Sequence, residues 1–215
     1  MSCMKWSYGS LNRTQEEDFV FRRLQGLAGG TVPASLHLSI TAVISESQEA
    51  MRQFAKHDIA RSLQQLNKYS KERIEEESRI RAKSVVSLRD IQRVFSVFAF
   101  FRAFPIITGS SNSVRRQLRK ALLLSVAVVY FMRLDSESRK EYVKLLENLP
   151  GERQEVESLV DILEETLDHV IANTSVKKGI ARTRGLKENI FMVIVCALSK
   201  TPLMIVGPPG CSKVS

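Results

Sequence analysis

The stretch ALLLSVAVVYFM at 121–132 constrains this chain more than any other, because it carries no charge over roughly three helical turns. Crossing a bilayer takes roughly 20 such residues, so the run reads as a helix buried inside protein. IFMVIVCAL at 190–198 is a second run of the same kind and is also too short to span. The remaining sequence is patterned to supply helices around them.

Thr14 stands three residues before Glu17 and ahead of Phe19, Val20 and Leu24, the order of a capping box. It predicts a helix over about 15–27, closed by Gly29 and Gly30. Pro33 and Ser35 open a second helical region through Ile40, Val43, Ile44 and Met51, spaced nearer 3.6 than 2. The mixed-charge stretch 56–83 holds only sparse apolar residues, Leu63, Leu66, Ile74 and Ile80, and reads as an exposed helix or mobile insertion. Ser87 with Asp90 caps the next helix, Val94, Phe95, Phe98 and Phe101 form its apolar face, and Pro105 ends it. TGSSNS (108–113) is a loop. Helices follow over 114–132, from a cap at Asp135, and over an acidic stretch from about 152 to 172. LVDILEE (159–165) therefore reads as a helix face rather than a strand ending in two acids. Beyond NTSVKKG (173–179) the pattern changes to a helix over 186–199, then Pro202 and a short strand over 203–206.

Forty-four per cent apolar residues indicate a globular chain. Thirty-two Lys and Arg against 23 Asp and Glu leave a formal charge of +9, which raises nucleic acid, an acidic partner or an anionic membrane surface as partners. Segments such as KERIEEESRIRAK interleave the two signs, however, as a solvated helix face does. Cys3, Cys196 and Cys211 form no CxxC pair or zinc spacing, and MSCMKWSYG has no apolar signal core, so the expected setting is a reducing cytoplasm. His37, His57 and His169 are isolated, and no spacing supplies a catalytic constellation or a metal-ligand set.

The chemistry gathers at LMIVGPPGCSKVS (203–215). In a phosphate loop, successive backbone amides wrap a phosphate at a helix start, a lysine reaches the outer oxygens and a following Ser or Thr holds magnesium. Gly207, Pro208, Pro209, Gly210, Cys211, Ser212 and Lys213 fill those places. Ser212 stands where the second glycine is usual, and Val214 where the metal-binding hydroxyl belongs.

Together, WSYGSLNRTQEEDFV (6–20), SVVSLRDIQRVFSVFAFF (84–101) and KKGIARTRGLKENIFMVIVCALSKTPLMIVGPPGCSK (177–213) resemble the mysterin-like giant ubiquitin ligases, which carry tandem AAA+ modules and a RING domain. The resemblance extends along nearly the whole chain and is weakest around 56–83. That family is similar even in its serine at the second-glycine position, while Val214 departs from it.

The resemblance implies a mainly α fold. Residues 1–178 would be the helical lid of one AAA+ module with connecting helices, and 179–215 the truncated start (helix, strand and phosphate loop) of the next α/β core. Gly179, Ile180 and Ala181 lie where such modules approach adenine, and Arg89 and Arg93 lie on a lid helix that would face nucleotide. The plainer reading of these two arginines, an i and i+4 pair beside Asp90, is surface ion pairing. ATP and magnesium are the implied cofactors of the whole protein. Its implied partners are other AAA+ modules and, through domains outside this chain, the ubiquitination machinery. The fragment alone is expected to be inactive. The alternative is a non-enzymatic basic helical module that binds RNA or acidic proteins through clusters such as RRQLRK (115–120), though without the interleaved aromatics that stack bases.

Two common splice-donor sequences, translated in frame, encode Val-Ser. Val214 and Ser215 are therefore expected to be intron-derived, with Ser or Thr following Lys213 in the native chain. Sequencing the message across Lys213 checks this, and a spliced message that encodes Val-Ser and a stop overturns it.

Overall fold

The computed structural model describes residues 12–26, 32–66, 69–104, 113–149, 157–176 and 179–204. Regular structure among them is helical: α1 Arg13–Gly26, α2 His37–Gln65, α3 Lys71–Ala82, α4 Leu88–Arg102, α5 Val114–Val129, α6 Ser136–Glu147, α7 Leu159–Ala172 and α8 Arg184–Leu198. Short 3₁₀ turns occupy Ala34–Leu36 and Phe131–Arg133. The chain divides into two compact units, Met1–Ile91 with Arg133–Val156, and Gln92–Met132 with Glu157–Ser215.

Side chains that take up first-turn amides set several of the helix starts. Asn12 and Gln15 cap α1 reciprocally. The Gln15 N–H donates to Asn12 Oδ1 at 2.9 Å, and the Asn12 N–H to Gln15 Oε1 at 3.0 Å. This replaces the expected Thr14–Glu17 box: the helix starts two residues earlier, and Glu17, one turn beyond Arg13, accepts from its Nε at 2.9 Å instead. Ser87 and Asp90 behave as expected, the Ser87 N–H donating to Asp90 Oδ2 at 2.9 Å. Asp135 accepts from the amides of Glu137 and Ser138, both at 2.9 Å. Ser158 and Asp161 make a full capping box, so α7 starts at Leu159 rather than near 152; residues 150–156 lie outside the described residues. The Ser138 amide holds the Asp135 carboxyl below its ordinary range, and the Ser158 hydroxyl does the same for Asp161.

In the first unit α2 is the axis. α1 runs antiparallel to it, with Glu16 paired to Arg52 at one end and Phe21 edge-on to His37, 5.8 Å between ring centroids, at the other. Val20 and Leu24 of α1 are buried. His37 is a satisfied interior histidine, its Nε2 3.2 Å from the Val32 carbonyl oxygen. The stretch 56–83 is largely exposed, as its composition implies, but forms parts of two helices rather than one. Its first part continues α2 to Gln65, and its second part, α3, folds back along α2 with Lys56 at 3.6 Å from Glu75. Few large apolar side chains are needed because Ser78 and Ala82 join Leu63 and Ile74 in the buried stripe, and small residues let two helices approach closely. Leu66 and Ile80 remain exposed. α6 is tied to α2 through Tyr142, which is fully buried and donates its O–H to Ser47 Oγ at 2.7 Å, while Ser47 donates to the Val43 carbonyl at 2.6 Å.

In the second unit the uncharged run is the interior helix its composition implies. Every residue from Ala121 to Phe131 is buried. Lys120 is buried with it, and its Nζ lies 3.3 Å from Glu157 and 3.2 Å from Glu165. Arg116 also pairs with Glu157, and Arg119 donates to the Glu157 carbonyl at 2.9 Å. Burial works to raise the Glu157 carboxyl, but its hydrogen bonds from Arg116 and Lys120 outweigh burial and hold it below the usual range. The stretch 159–165 is helical, as its period implies.

Two other expectations meet the limits of the described residues. α4 stops at Arg102, ahead of Pro105, but residues 105–112 lie outside them. Leu203 and Met204 have no regular structure and are exposed, and 205–206 lie outside. No strand occurs among the described residues; a four-residue strand has no ladder to join unless a neighbour pairs with it.

Replacing Tyr142 by Phe leaves Ser47 without its buried donor. The expected loss is about 1–2 kcal/mol of unfolding free energy, read from a lower urea midpoint at unchanged slope; an unchanged midpoint refutes the pin.

Candidate functional site

The seven phosphate-loop positions, Gly207, Pro208, Pro209, Gly210, Cys211, Ser212 and Lys213, lie outside the described residues. Described in full is the helix that leads to them, together with both of its ends. α8 begins at a cap, the Leu186 amide donating to Thr183 Oγ1 at 3.3 Å. Gly179, just ahead of it, has φ +91°, where a side chain is strained even though a Cβ there would meet open space. Ile180 and Ala181 are exposed. These three therefore form an open approach to the start of α8.

One side of α8 buries Phe191, Val195 and Cys196. Phe191 stacks on Phe101 of α4, ring centroids 6.1 Å apart. Ion pairs join α8 to α7: Arg184 reaches Glu164 at 3.0 Å, and Lys187 pairs with Asp168. Burial pushes the Cys196 thiol up, and the nearby charge of Arg93 draws it partly back.

The far end of α8 closes in a Schellman arrangement. The Thr201 amide donates to the Cys196 carbonyl at 2.8 Å and the Lys200 amide to Ala197 at 3.4 Å. Such a turn puts its central residue in the left-handed region, and that residue is Lys200, with φ 55°. Glycine is usual there because a Cβ costs roughly 1–2 kcal/mol in that conformation. Sequence reading missed this feature. The available signal was the polar Ser199-Lys200-Thr201 ahead of Pro202, a helix-stop composition without its glycine.

Arg89 and Arg93 occupy different surroundings. Arg89 is exposed and makes no ion pair among the described residues, so the expected surface pairing is corrected for Arg89. Asp90 is only 5% exposed, accepts from Ser87 and lies 3.8 Å from Arg133. Arg93 is half-buried and close enough to Cys196 for its charge to act on the thiol. Among the described residues no group of three His, Cys, Asp or Glu is placed to hold a metal ion, and no helix is long and apolar enough to cross a membrane.

The family described as RNF213 AAA domain matches residues 179–214, beginning at the left-handed glycine and including the phosphate-loop positions. Over 97% of its length the chain is 27% identical to E3 ubiquitin-protein ligase rnf213-beta of Danio rerio. The chain is mysterin-like. The mysterin-like match also includes E3 ubiquitin-protein ligase RNF213 of Homo sapiens, 30% identical over 60% of the chain, and that of Mus musculus, 25% identical over 97%. The chain spans only 4% of the Danio rerio and Mus musculus proteins and 3% of the human one.

In this mysterin-like chain, Lys200→Gly is expected to raise stability by roughly 0.5–1 kcal/mol, the left-handed strain released less the greater freedom of an unfolded glycine. Lys200→Ala keeps the Cβ and should give no such gain. Denaturant midpoints of the two variants decide it, and equal midpoints reject the strain.

Proposed function

We propose that residues 179–215 open an AAA+ nucleotide-binding module and that residues 1–178 are lid and connecting helices of the module before it. The observation that carries this reading is the match of residues 179–214 to the RNF213 AAA domain. The whole protein is then an ATP-dependent ubiquitin ligase of the cytoplasm, working with its other AAA+ modules and with the ubiquitination machinery.

This chain's own groups suit ATP in three ways. Ile180 is apolar and exposed beside the start of α8, as a wall for adenine must be before nucleotide arrives. Arg89 is an exposed cation without an ion pair among the described residues, free to meet a phosphate bound by its own module. The amides of residues 210–213 would cradle phosphate, and Lys213 would neutralise charge on the outer oxygens. Bound ATP supplies the phosphoryl group whose hydrolysis drives conformational change. Val214 offers magnesium no hydroxyl, so metal binding fits a chain with Ser or Thr at that position.

The RNA-binding alternative draws less support. Within its basic run, Arg116 and Lys120 direct their charge at Glu157 and Glu165 rather than outward.

The test uses the chain extended by the sequence that follows Lys213 in its relatives. Lys213→Ala is expected to weaken binding of a non-hydrolysable ATP analogue about tenfold or more, with the helical spectrum unchanged. Equal affinity of the two proteins rejects the reading.

A further inference from the structure

The first unit contains a cavity of about 600 Å³ that the nucleotide reading does not use. It opens between Arg13 and Glu16 of α1, Glu49 and Arg52 of α2, and Lys83 and Leu88 where α3 turns into α4. Its volume is that of a small-molecule site, roughly 300–1,000 Å³.

The charges in the wall are unequally committed. Arg52, mostly buried, holds both lining carboxylates, pairing with Glu16 and lying 3.5 Å from Glu49. Arg13 is engaged by Glu17 and Glu46. Lys83 makes no ion pair among the described residues. The one uncommitted charge in the wall is thus positive, and the occupant must bring the negative one.

Further donors converge on the same space. Asn12 uses Oδ1 to accept the Gln15 amide, which leaves its side-chain N–H₂ to donate. Val86, 2% exposed, and Leu88 give an apolar wall beside these polar groups. Donors arriving from α1, α2 and the α3–α4 turn suit a tetrahedral group with several acceptor oxygens better than a planar carboxylate with two.

We propose that this cavity binds a small soluble phosphorylated molecule, with Lys83 as its principal cation and Arg52, Arg13 and Asn12 as supporting donors. The site lies within the first compact unit and draws on none of the phosphate-loop residues.

Calorimetric titration of pyrophosphate into the Lys213→Ala chain tests the proposal, because that background removes the phosphate-loop lysine. Saturable one-to-one binding is expected. Lys83→Gln should weaken it about tenfold, as loss of one charge-assisted hydrogen bond does, and Lys83→Arg should largely restore it. Arg79→Gln, one turn earlier on α3 and outside the lining, should leave affinity unchanged. Lys83 and Arg79 are both exposed, so neither variant threatens the fold. Absence of saturable binding overturns the proposal. So does an equal loss in Arg79→Gln and Lys83→Gln, which would mark diffuse attraction to a basic surface rather than a site.

Discussion

The burial of Lys120 organises the second unit. Its ammonium enters the interior because the eleven residues after it, 121–131, are buried and the helix cannot hide them without drawing in its own preceding turn. An ammonium there must have counter-charges, and these come from Glu157 and Glu165, just before and within α7. α7 is thereby set against α5, and its outward acids, Glu164 and Asp168, are left to receive Arg184 and Lys187 of α8. A single desolvated charge therefore begins a series of pairings that ends at the helix leading to the phosphate-loop positions.

Much of this was legible in the sequence wherever the chemistry is local. The caps at Ser87 and Asp135 are hydrogen bonds between a side chain and an amide two or three residues away, so short strings encode them. Thr14 failed because Asn12 and Gln15 offer a better reciprocal pair, and choosing between neighbouring candidates takes geometry as well as composition. The fold-back within 56–83 went unread for a different reason. Its burial relies on Ser78 and Ala82, residues that no hydrophobicity pattern marks as interior. Arg89 likewise could not be separated from Asp90 by spacing, since whether a carboxylate turns inward depends on Arg133, more than forty positions away.

The candidate site was legible as a motif and much less so as a place. Gly179 and Lys200 show how differently two left-handed residues announce themselves: a glycine after two lysines reads as a turn, whereas at Lys200 only the helix stop is marked, by its polar neighbours and Pro202, and not the left-handed residue itself. Packing and proposed modules also follow different boundaries. Residues 179–204 share a compact unit with 92–104 and 157–176, while the family match begins at 179. Evolutionary modules are inherited as chain segments, and compact units are settled by which apolar faces meet.

α8 has one more property with a bearing on how the chain behaves in water. Besides its interior face, it carries Leu186, Ile190, Val193 and Ala197 at helical spacing on its other side, the first two half-covered and the last two exposed, with Leu203 and Met204 open beyond its end. Oily surface on both flanks of a single helix is poorly compatible with a solitary, freely dissolved state. Such a chain, handled alone, is prone to cluster with itself or to adhere to chaperones, and its solubility reports whether that second flank has found cover.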